Sequence, residues 1–399
     1  MPIISKRGEL MPPSPIRKLV AYAEAAKKRG IKVYHLNIGQ PDITTPEGFW
    51  NAVQNAHLKV LEYSHSAGNE SYRRKLTEYY AKHHIELTHE QILVTTGGSE
   101  AIRFAFMACL NPGDEVIIPE PFYANYNSFA IEAGVKIVPI TTYLENDFAL
   151  PDAATFARLI TPKTKAILIN NPSNPTGKLY SKQELEALQE LVIAHDLYLF
   201  ADEVYKEFCY DGKTFFSVLQ LPALSNHVVM VDSVSKRYSA CGARIGAFIT
   251  RNKDVYAAAL KFAQARLSPP TLEQIGSEAC IDTPDSYFEE VIGAYVSRRN
   301  LVVDALRKIP GVKCPQASGA FYLTVQLPIT DSDHFCQWIL ESFDYKGATV
   351  MLAPATGFYA TQGLGKKEVR IAYVLNESDL HQAIECLQAA LEKYPHKTN

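Results

Sequence analysis

The sequence lacks a large excess of either charge, since its 399 residues contain 40 lysines and arginines against 43 aspartates and glutamates. Without a segregated basic surface to neutralise phosphates, nucleic-acid binding is not expected. No hydrophobic run approaches the ~18 residues of a membrane-spanning helix, and charges interrupt the first ten residues, where a signal peptide needs an apolar core. We therefore predict a cytoplasmic protein without a nucleic-acid or membrane partner.

Cysteine pairs at ligand or redox spacing are missing as well. The seven cysteines are odd in number and widely spread, and none forms a CxxC pair. This usage is typical of a reducing compartment, in which buried thiols act as small apolar side chains. His83, His84 and His89 have no carboxylate or cysteine partners at ligand spacing, so no metal site is predicted.

Short apolar runs alternate with helical segments through the middle of the chain. Seven runs suit buried strands: ILVTT, EVIIP, VKIVPI, KAILIN, LYLFA, VVMVDS and IGAFIT. Amphipathic segments such as SEAIRFAFMACL and SKQELEALQELVIAH lie between several of them. The pattern predicts the α/β class, with a mostly parallel seven-stranded sheet covered by helices.

The length of the chain and its 47% hydrophobic content favour two domains. The segment from Ser286 to Ile309 is predicted to form one long amphipathic helix that bridges them. We assign residues 1–44 to an N-terminal arm and part of a small domain, 45–285 to the large domain, and 286–399 to the bridging helix and the rest of the smaller α/β domain. Ligands of such sheets bind beyond the carboxyl ends of the strands, so functional residues are expected in the loops there.

Three of these loops carry glycines or polar side chains. Gly97, Gly98 and Ser99 precede a helix whose free N–H groups suit a phosphate, although a Gly-Gly pair is also typical of a plain tight turn. The loop NPSNPTG can hold an amide at a fixed place or form only a rigid turn. Asp202, at the end of LYLFA, is either a helix N-cap or a desolvated carboxylate that needs a donor or a cation.

The most specific stretch follows VVMVD and reads SVSKRYSACGARIG. Lys236, just past a buried strand, can lose its proton by desolvation or near another cation and then attack a carbonyl. Arg244 supplies a planar fork for a phosphate. Taken alone, a lysine at this place is also typical of a solvated surface.

Together, these motifs strongly resemble the class I aminotransferases, which are pyridoxal-phosphate enzymes of fold type I. The motifs are Asp202-x-x-Tyr205, Ser233-x-Ser235-Lys236 and Arg244-x-Gly246, preceded by NPSNPTG. The resemblance extends from Asn37 to Ala372, and the GQPD and SPIRKL segments are similar to the aspartate and broad-specificity branches.

The resemblance implies pyridoxal 5′-phosphate as the cofactor, bound covalently by Lys236. Asp202 would face its pyridine nitrogen and keep it protonated, and Tyr205 and Asn174 would bind its phenolic oxygen. Tyr123 matches the position that stacks on the ring. The residues expected to be catalytic are Lys236, as the general base once freed, Asp202 and Tyr205.

The resemblance also implies a phosphate site and a second subunit. The phosphate ligands would be Gly98, Ser99, Glu100, Ser233 and Arg244, with Ser235 capping or packing beside them. Tyr63 matches a tyrosine that reaches the phosphate from the neighbouring subunit. A homodimer with shared active sites is therefore expected.

For the substrate, the resemblance implies that Arg370 binds the α-carboxylate in a bidentate pair, with help from Gly39 and Asn174. A dicarboxylic substrate needs a further cation, for which Arg17 and Arg266 are candidates, each also typical of a solvated or structural arginine. We expect L-aspartate as the amino donor and 2-oxoglutarate as the acceptor. Aromatic or alanine transamination and C–S β-lyase chemistry remain alternatives.

Overall fold

The computed structural model describes residues 2–398. Its strands are β1 (Lys32–His35), β2 (Ile92–Thr95), β3 (Glu115–Glu120), β4 (Lys136–Thr141), β5 (Thr164–Asn170), β6 (Tyr198–Asp202), β7 (Val228–Ser233), β8 (Gly246–Ile249), β9 (Tyr322–Gln326), β10 (Ala348–Met351), β11 (Ala353–Pro354) and β12 (Glu368–Ala372). Its α-helices are α1 (Lys6–Leu10), α2 (Val20–Lys28), α3 (Glu47–Gln54), α4 (Glu70–Lys82), α5 (Gly98–Cys109), α6 (Asn125–Ala133), α7 (Ala153–Ala157), α8 (Lys182–Ala194), α9 (Val234–Arg237), α10 (Lys253–Ala265), α11 (Thr271–Ala279), α12 (Asp285–Leu306), α13 (Ser332–Glu341) and α14 (Glu377–Lys393).

The predicted seven-stranded sheet is confirmed, in the order β2-β8-β7-β6-β5-β3-β4. Its strands run parallel except for β8, which is antiparallel to both β2 and β7. Asn170 of β5 pairs with Asp202 of β6, so the carboxyl ends of these neighbouring strands reach the same edge of the sheet. The loops that follow them therefore meet there.

Helices cover both faces of this sheet, which explains why its strands read as continuous apolar runs. Successive side chains of a strand point to opposite faces. Ile167 and Ile169 of β5 pack in one core with residues of α8, and Ala166 and Leu168 pack in another with residues of α5, α6 and α10. The α/β class with a helix-covered sheet is thus confirmed.

Two smaller sheets lie outside the central one. β1 pairs with β10 in parallel, and β11, β12 and β9 form an antiparallel sheet. A separate core joins these strands with α12, α13 and α14. Because β1 belongs to residues 1–44 and β10 to the C-terminal third, the two ends of the chain fold together. The bounds of the domains stay a prediction.

The long helix predicted from Ser286 to Ile309 is present as α12 and ends at Leu306. Proline disfavours the helical conformation in the residue before it, and Pro310 follows Ile309. The apolar pattern continues to Ile309, which is buried after the helix has ended. The predicted helix is therefore three residues too long at its C-terminal end, because the apolar pattern that reflects burial continues beyond the last helical residue.

Within residues 2–398, no helix is both long enough and apolar enough to cross a membrane. All seven cysteines are free thiols, and the part of the chain described contains no group of three His, Cys, Asp or Glu side chains arranged to hold a metal.

Candidate active site

A cavity of about 670 Å³ opens at the carboxyl ends of the central strands. Loops after β2, β5, β6 and β7 reach it from the large sheet, while β9 and β12 reach it from the antiparallel sheet. The predicted site residues that line it are Gly39, Gly98, Ser99, Tyr123, Asn174, Asp202, Tyr205, Ser233, Ser235, Lys236, Arg244 and Arg370. The structure thus brings together residues that lie up to several hundred positions apart in sequence.

Three predicted or suggested residues do not line the cavity. Tyr63 is 79% exposed on the single chain. The backbone N–H of Glu100 donates to the carbonyl of Gly97, and its carboxylate accepts a hydrogen bond from the backbone N–H of Thr96. Arg266 pairs with Glu100 at 3.4 Å. Of the two arginines suggested for a distal carboxylate, only Arg17 lines the cavity.

Lys236 lies on the short helix α9, immediately after β7. The hydroxyl of Ser233 caps this helix by accepting a hydrogen bond from the Ser235 N–H at 3.1 Å, and it donates to the Ile245 carbonyl at 3.0 Å. The Lys236 amine donates to the carbonyl of Gly39 at 2.8 Å. The amine is therefore held at the cavity wall by a weak neutral acceptor rather than by a carboxylate, which leaves it available for chemistry.

Asp202 ends β6 with its carboxylate buried. Its Oδ2 accepts a hydrogen bond from the Tyr126 hydroxyl at 2.7 Å, and its Oδ1 has no hydrogen-bond partner among residues 2–398. Burial raises the pKa of Asp202 to about 6, although the Tyr126 hydrogen bond acts in the opposite direction. A buried carboxylate oxygen without a donor is costly, so this atom is set up to receive one.

Tyr205 and Asn174 also line the cavity and contact each other. The Tyr205 hydroxyl lies 3.0 Å from the Tyr322 hydroxyl and 3.5 Å from the Asn174 amide nitrogen. Burial raises the pKa of Tyr205 well above its ordinary value, so this phenol stays a hydrogen-bond donor. The Asn174 N–H donates to the side chain of Asn170 at 2.6 Å, which fixes the NPSNPTG loop.

Arg370 projects from β12 and is only 1% exposed. One amino group donates to the Asn174 side-chain oxygen at 3.0 Å, a second donates to the carbonyl of Asn37, and Nε has no hydrogen-bond partner in the described part of the chain. The guanidinium lies over the rings of Tyr322 and Phe358, 4.7 and 5.0 Å from their centroids. Among residues 2–398, no carboxylate lies within ion-pair distance of this guanidinium. Burial lowers the pKa of Arg370, and the cation is left without an anionic partner there.

The start of α5 forms a cradle lined by glycine. Gly97 has a φ of +76°, and a Cβ there would come within 2.5 Å of the Arg244 guanidinium. A Cβ on Gly246 would come within 2.5 Å of the Gly97 backbone, so both positions exclude a side chain. The free N–H groups of the helix start, the guanidinium and the Ser233 hydroxyl together make an anion site suited to a phosphate.

Some functional neighbours were not predicted from the sequence. Tyr126 holds Asp202, Tyr322 contacts both Tyr205 and Arg370, and Cys241 lies 3.6 Å from the Lys236 amine. Tyr126, at the start of α6, follows Tyr123 by three positions, and the two rings lie 5.5 Å apart, so the position of Tyr123 points to it. Tyr322 has no such signal, because its contact depends on how β9 packs against the large sheet.

The model of the family described as aminotransferase class I and II matches residues 31–387. The chain belongs to this family. The aspartate aminotransferase of Bacillus subtilis is 33% identical to this aminotransferase over 402 residues, covering 98% of this chain and 99% of the relative. The aspartate/prephenate aminotransferase of Thermus thermophilus is 32% identical, and the match covers 96% of this chain and 97% of that relative. Aromatic-amino-acid aminotransferase 2 of Thermococcus litoralis is 31% identical, covering 98% of each.

Solved structures share the fold of this aminotransferase. The aspartate aminotransferase of Thermus thermophilus with maleate has a TM-score of 0.89 at 31% identity, covering 98% of this chain and all of that one (100%). The aspartate aminotransferase of Thermotoga maritima has a TM-score of 0.89 at 30% identity, with the same coverage. The protein is therefore a transaminase with the fold of the aspartate aminotransferases, as the motifs predicted.

Proposed function

We propose that this aminotransferase acts in the cytoplasm and uses pyridoxal 5′-phosphate to move the amino group of L-aspartate to 2-oxoglutarate in a ping-pong cycle. The observation that carries the proposal is the meeting in one cavity of the Lys236 amine, the unpartnered Oδ1 of Asp202 and the unpartnered Nε of Arg370. An amine binds an aldehyde, a carboxylate pairs with a pyridinium, and a guanidinium pairs with an α-carboxylate.

The residues of the cavity fit the cofactor that the family implies. Lys236 would hold its aldehyde carbon, Asp202 its ring nitrogen, and Tyr205 and Asn174 its phenolic oxygen. The phosphate would be held at the glycine cradle by Gly98, Ser99, Ser233, Ser235 and Arg244, while Tyr123 would cover the ring. When bound, the cofactor would supply an electron sink for the electrons released at the substrate α-carbon.

The protein's own residues bind the substrate and move its proton. Arg370, joined to Asn174, would hold the α-carboxylate with its free N–H and fix the α-carbon beside Lys236. The Lys236 amine would then take the α-proton as general base and hold it on Nζ as an ammonium, which can act as the general acid of the following step. The carbonyl of Gly39, which accepts from this amine at 2.8 Å, would keep it aimed into the cavity.

The choice of aspartate rests on a cation at the cavity mouth. Arg17 lines the cavity from the N-terminal segment, its side chain is exposed, and no ion pair to it is found within residues 2–398. The relatives named aspartate aminotransferase, one of them solved with the dicarboxylate maleate, support a second carboxylate site. We therefore propose Arg17 as the residue that binds the distal carboxylate.

The proposed reaction is tested by incubating the cofactor-loaded enzyme with L-aspartate and no acceptor. One equivalent of oxaloacetate per cofactor is expected, with the cofactor left in its amino form. Pyruvate and ammonia released continuously from cysteine conjugates would instead identify a C–S β-lyase. A donor panel with 2-oxoglutarate then ranks aspartate against alanine and phenylalanine, and a preference for phenylalanine would overturn the aspartate assignment.

Replacing Arg17 by glutamine is expected to raise the KM for L-aspartate about tenfold and to leave the KM for L-alanine unchanged, because only aspartate carries a distal carboxylate. Steady-state kinetics with both donors measure the difference. The matched control is Lys18→Gln, which alters the neighbouring cation that pairs with Asp333. It should leave the KM of both donors unchanged. An equal effect of Arg17→Gln on both donors would contradict a role in distal recognition.

Replacing Arg370 by lysine is expected to raise the KM of every amino donor about 100-fold, because lysine keeps the charge and loses the planar fork. The matched control is Arg299→Lys, which alters an equally buried arginine that pairs with Asp211 at 2.7 Å outside the cavity. That variant should lower stability and leave KM alone. A loss confined to dicarboxylic donors in Arg370→Lys would mean that the two carboxylate sites had been exchanged.

A homodimer with shared sites is part of the proposal. Large apolar side chains are exposed together near Tyr63, namely Leu58, Val60 and Leu61. Such a patch is unusual on a monomer and supports a partner surface. We expect Tyr63 to reach the phosphate site of the second subunit.

The dimer is tested by analytical ultracentrifugation, which should give a mass near twice that of the 44.4 kDa chain. A monomer that is fully active would contradict shared active sites.

A further inference from the structure

A buried ion network lies behind the cavity wall. Its charged members are Lys206, Glu207, Asp232 and Arg237, and the hydroxyls of Tyr79 and Tyr80 on α4 complete it. Lys206, Asp232 and Arg237 are 3%, 2% and 1% exposed. Two cations face two anions, so the network as a whole is neutral.

Asp232 is the centre of the buried ion network. Its Oδ2 lies 2.5 Å from the Lys206 amine, accepts a hydrogen bond from the Tyr80 hydroxyl at 2.5 Å and also pairs with the Arg237 guanidinium. Its Oδ1 accepts a hydrogen bond from the Ser233 backbone N–H at 2.8 Å. One carboxylate thus ties together two cations, a helix side chain and the strand end that leads into the site.

Glu207 is the second carboxylate that holds Arg237 in the buried ion network. Its Oε1 accepts from Arg237 Nε at 2.7 Å and from the Tyr79 hydroxyl. The Arg237 guanidinium also lies over the Tyr79 ring at 4.1 Å. Arg237 is therefore fixed in direction by two carboxylates and one aromatic face.

The members of the network are the sequence neighbours of site residues. Lys206 follows Tyr205, Asp232 precedes Ser233, and Arg237 follows Lys236. None of the four charged members lines the cavity, so none of them is placed to touch the cofactor. The contacts of these charged side chains therefore anchor the backbone directly beside Tyr205, Ser233 and Lys236.

A contribution to the stability of the fold does not by itself explain why four charged residues are buried together. Taking charges out of water costs several kcal/mol per ion, and apolar residues of similar volume often stabilise a core as well or better. Holding the neighbouring site residues in fixed positions explains the burial better, since displacing a reacting group by about 1 Å can lower the reaction rate about 100-fold.

We propose that Asp232 is a positioning residue for the cofactor site: by clamping Lys206 and Arg237, it fixes Tyr205, Ser233 and Lys236 in mutual register. The inference rests on the proposed function, because the register matters only if these three residues hold one cofactor. It assigns a role to a residue that contacts neither substrate nor cofactor.

The test is Asp232→Asn, which keeps the shape and an acceptor for the Ser233 N–H and removes the charge. The cofactor-free protein is titrated with pyridoxal 5′-phosphate. Affinity is read from absorbance, and the orientation of the ring is read from circular dichroism in the cofactor band, normalised to bound cofactor. We expect a dissociation constant raised about tenfold or more, because hydrogen bonds to a charged group are lost, together with a reduced cofactor-band signal.

A milder variant keeps the test decisive where Asp232→Asn fails to fold. Tyr80→Phe removes one hydrogen bond to Asp232 and should weaken cofactor binding about threefold, with the same spectral change. Its matched control is Tyr373→Phe, which deletes an equally buried hydroxyl that donates to the Ala320 carbonyl at 3.1 Å. That control should lower thermal stability without changing the cofactor-band signal.

The possible results separate the two proposals. If Asp232→Asn and Tyr80→Phe lower only thermal stability, as Tyr373→Phe does, the positioning role is overturned and the proposed function stands. If the wild-type protein fails to bind the cofactor, the proposed function fails and this inference fails with it.

Discussion

Replacing Lys236 by alanine is expected to abolish transamination, with a fall in kcat of at least about 10⁴-fold, because the proposed mechanism assigns both the covalent attachment and the general base to this one side chain. Its amine lies at the cavity wall and, among residues 2–398, has the Gly39 carbonyl and the Cys241 thiol as its hydrogen-bond partners. Turnover of L-aspartate with 2-oxoglutarate measures the loss.

The attachment itself is measured separately from activity. Borohydride fixes a lysine-bound aldehyde irreversibly, so peptide mapping of the treated wild-type enzyme should find the added mass on Lys236 alone. Lys163→Ala, which alters a solvent-exposed lysine, serves as the control and should keep both label and turnover. Label on another peptide, or turnover retained in Lys236→Ala, would overturn the assignment.

Replacing Asp202 by asparagine is expected to lower kcat by about 10³-fold while the lysine-bound cofactor still forms. Asparagine keeps an acceptor for the Tyr126 hydroxyl, so the local fold should survive, but it cannot hold a pyridine nitrogen in its protonated form. Glu203→Gln is the matched control, because Glu203 is the adjacent buried carboxylate and bonds Ser217 and Val218 outside the cavity. Full activity in Asp202→Asn would remove the electron-sink role.

The raised pKa of Asp202 adds a pH dependence to this prediction. Because burial lifts the pKa to about 6, the carboxylate of the cofactor-free protein is charged above that pH and neutral below it. Because the pKa of Asp202 is higher in the folded protein than in the unfolded chain, its contribution to the free energy of unfolding is present at low pH and is lost as the pH rises through about 6. Cofactor affinity should instead fall below about pH 6, and Asp202→Asn should not show this fall.

Much of the fold was predictable because its signals are local. The seven apolar runs became the seven strands of the central sheet, since a strand buried on both faces must be apolar at nearly every position. The motifs that resemble the class I aminotransferases singled out Lys236, Asp202 and Arg244, and all three line the cavity. Their meeting in one cavity follows from the rule that parallel strands end at the same edge.

Other features could not be read from the sequence. The partner of Asp202 is Tyr126, which lies on a different element, and the anchor of Arg370 includes the backbone carbonyl of Asn37, which is common to every residue type. The two arginines suggested for a distal carboxylate looked alike in sequence. The tertiary structure distinguishes the two arginines, because Arg266 pairs with Glu100 outside the cavity whereas Arg17 lines the cavity.

The fold class, the family resemblance and the charged residues of the cavity could be recognised in the sequence, because they depend on residue type and short spacing. Which polar atoms lack partners, and which charges neutralise one another, depends on how distant segments pack together. The network around Asp232 shows the reason: its members are dispersed through the chain as ordinary polar residues, and only burial in a shared low-dielectric interior makes their pairing obligatory.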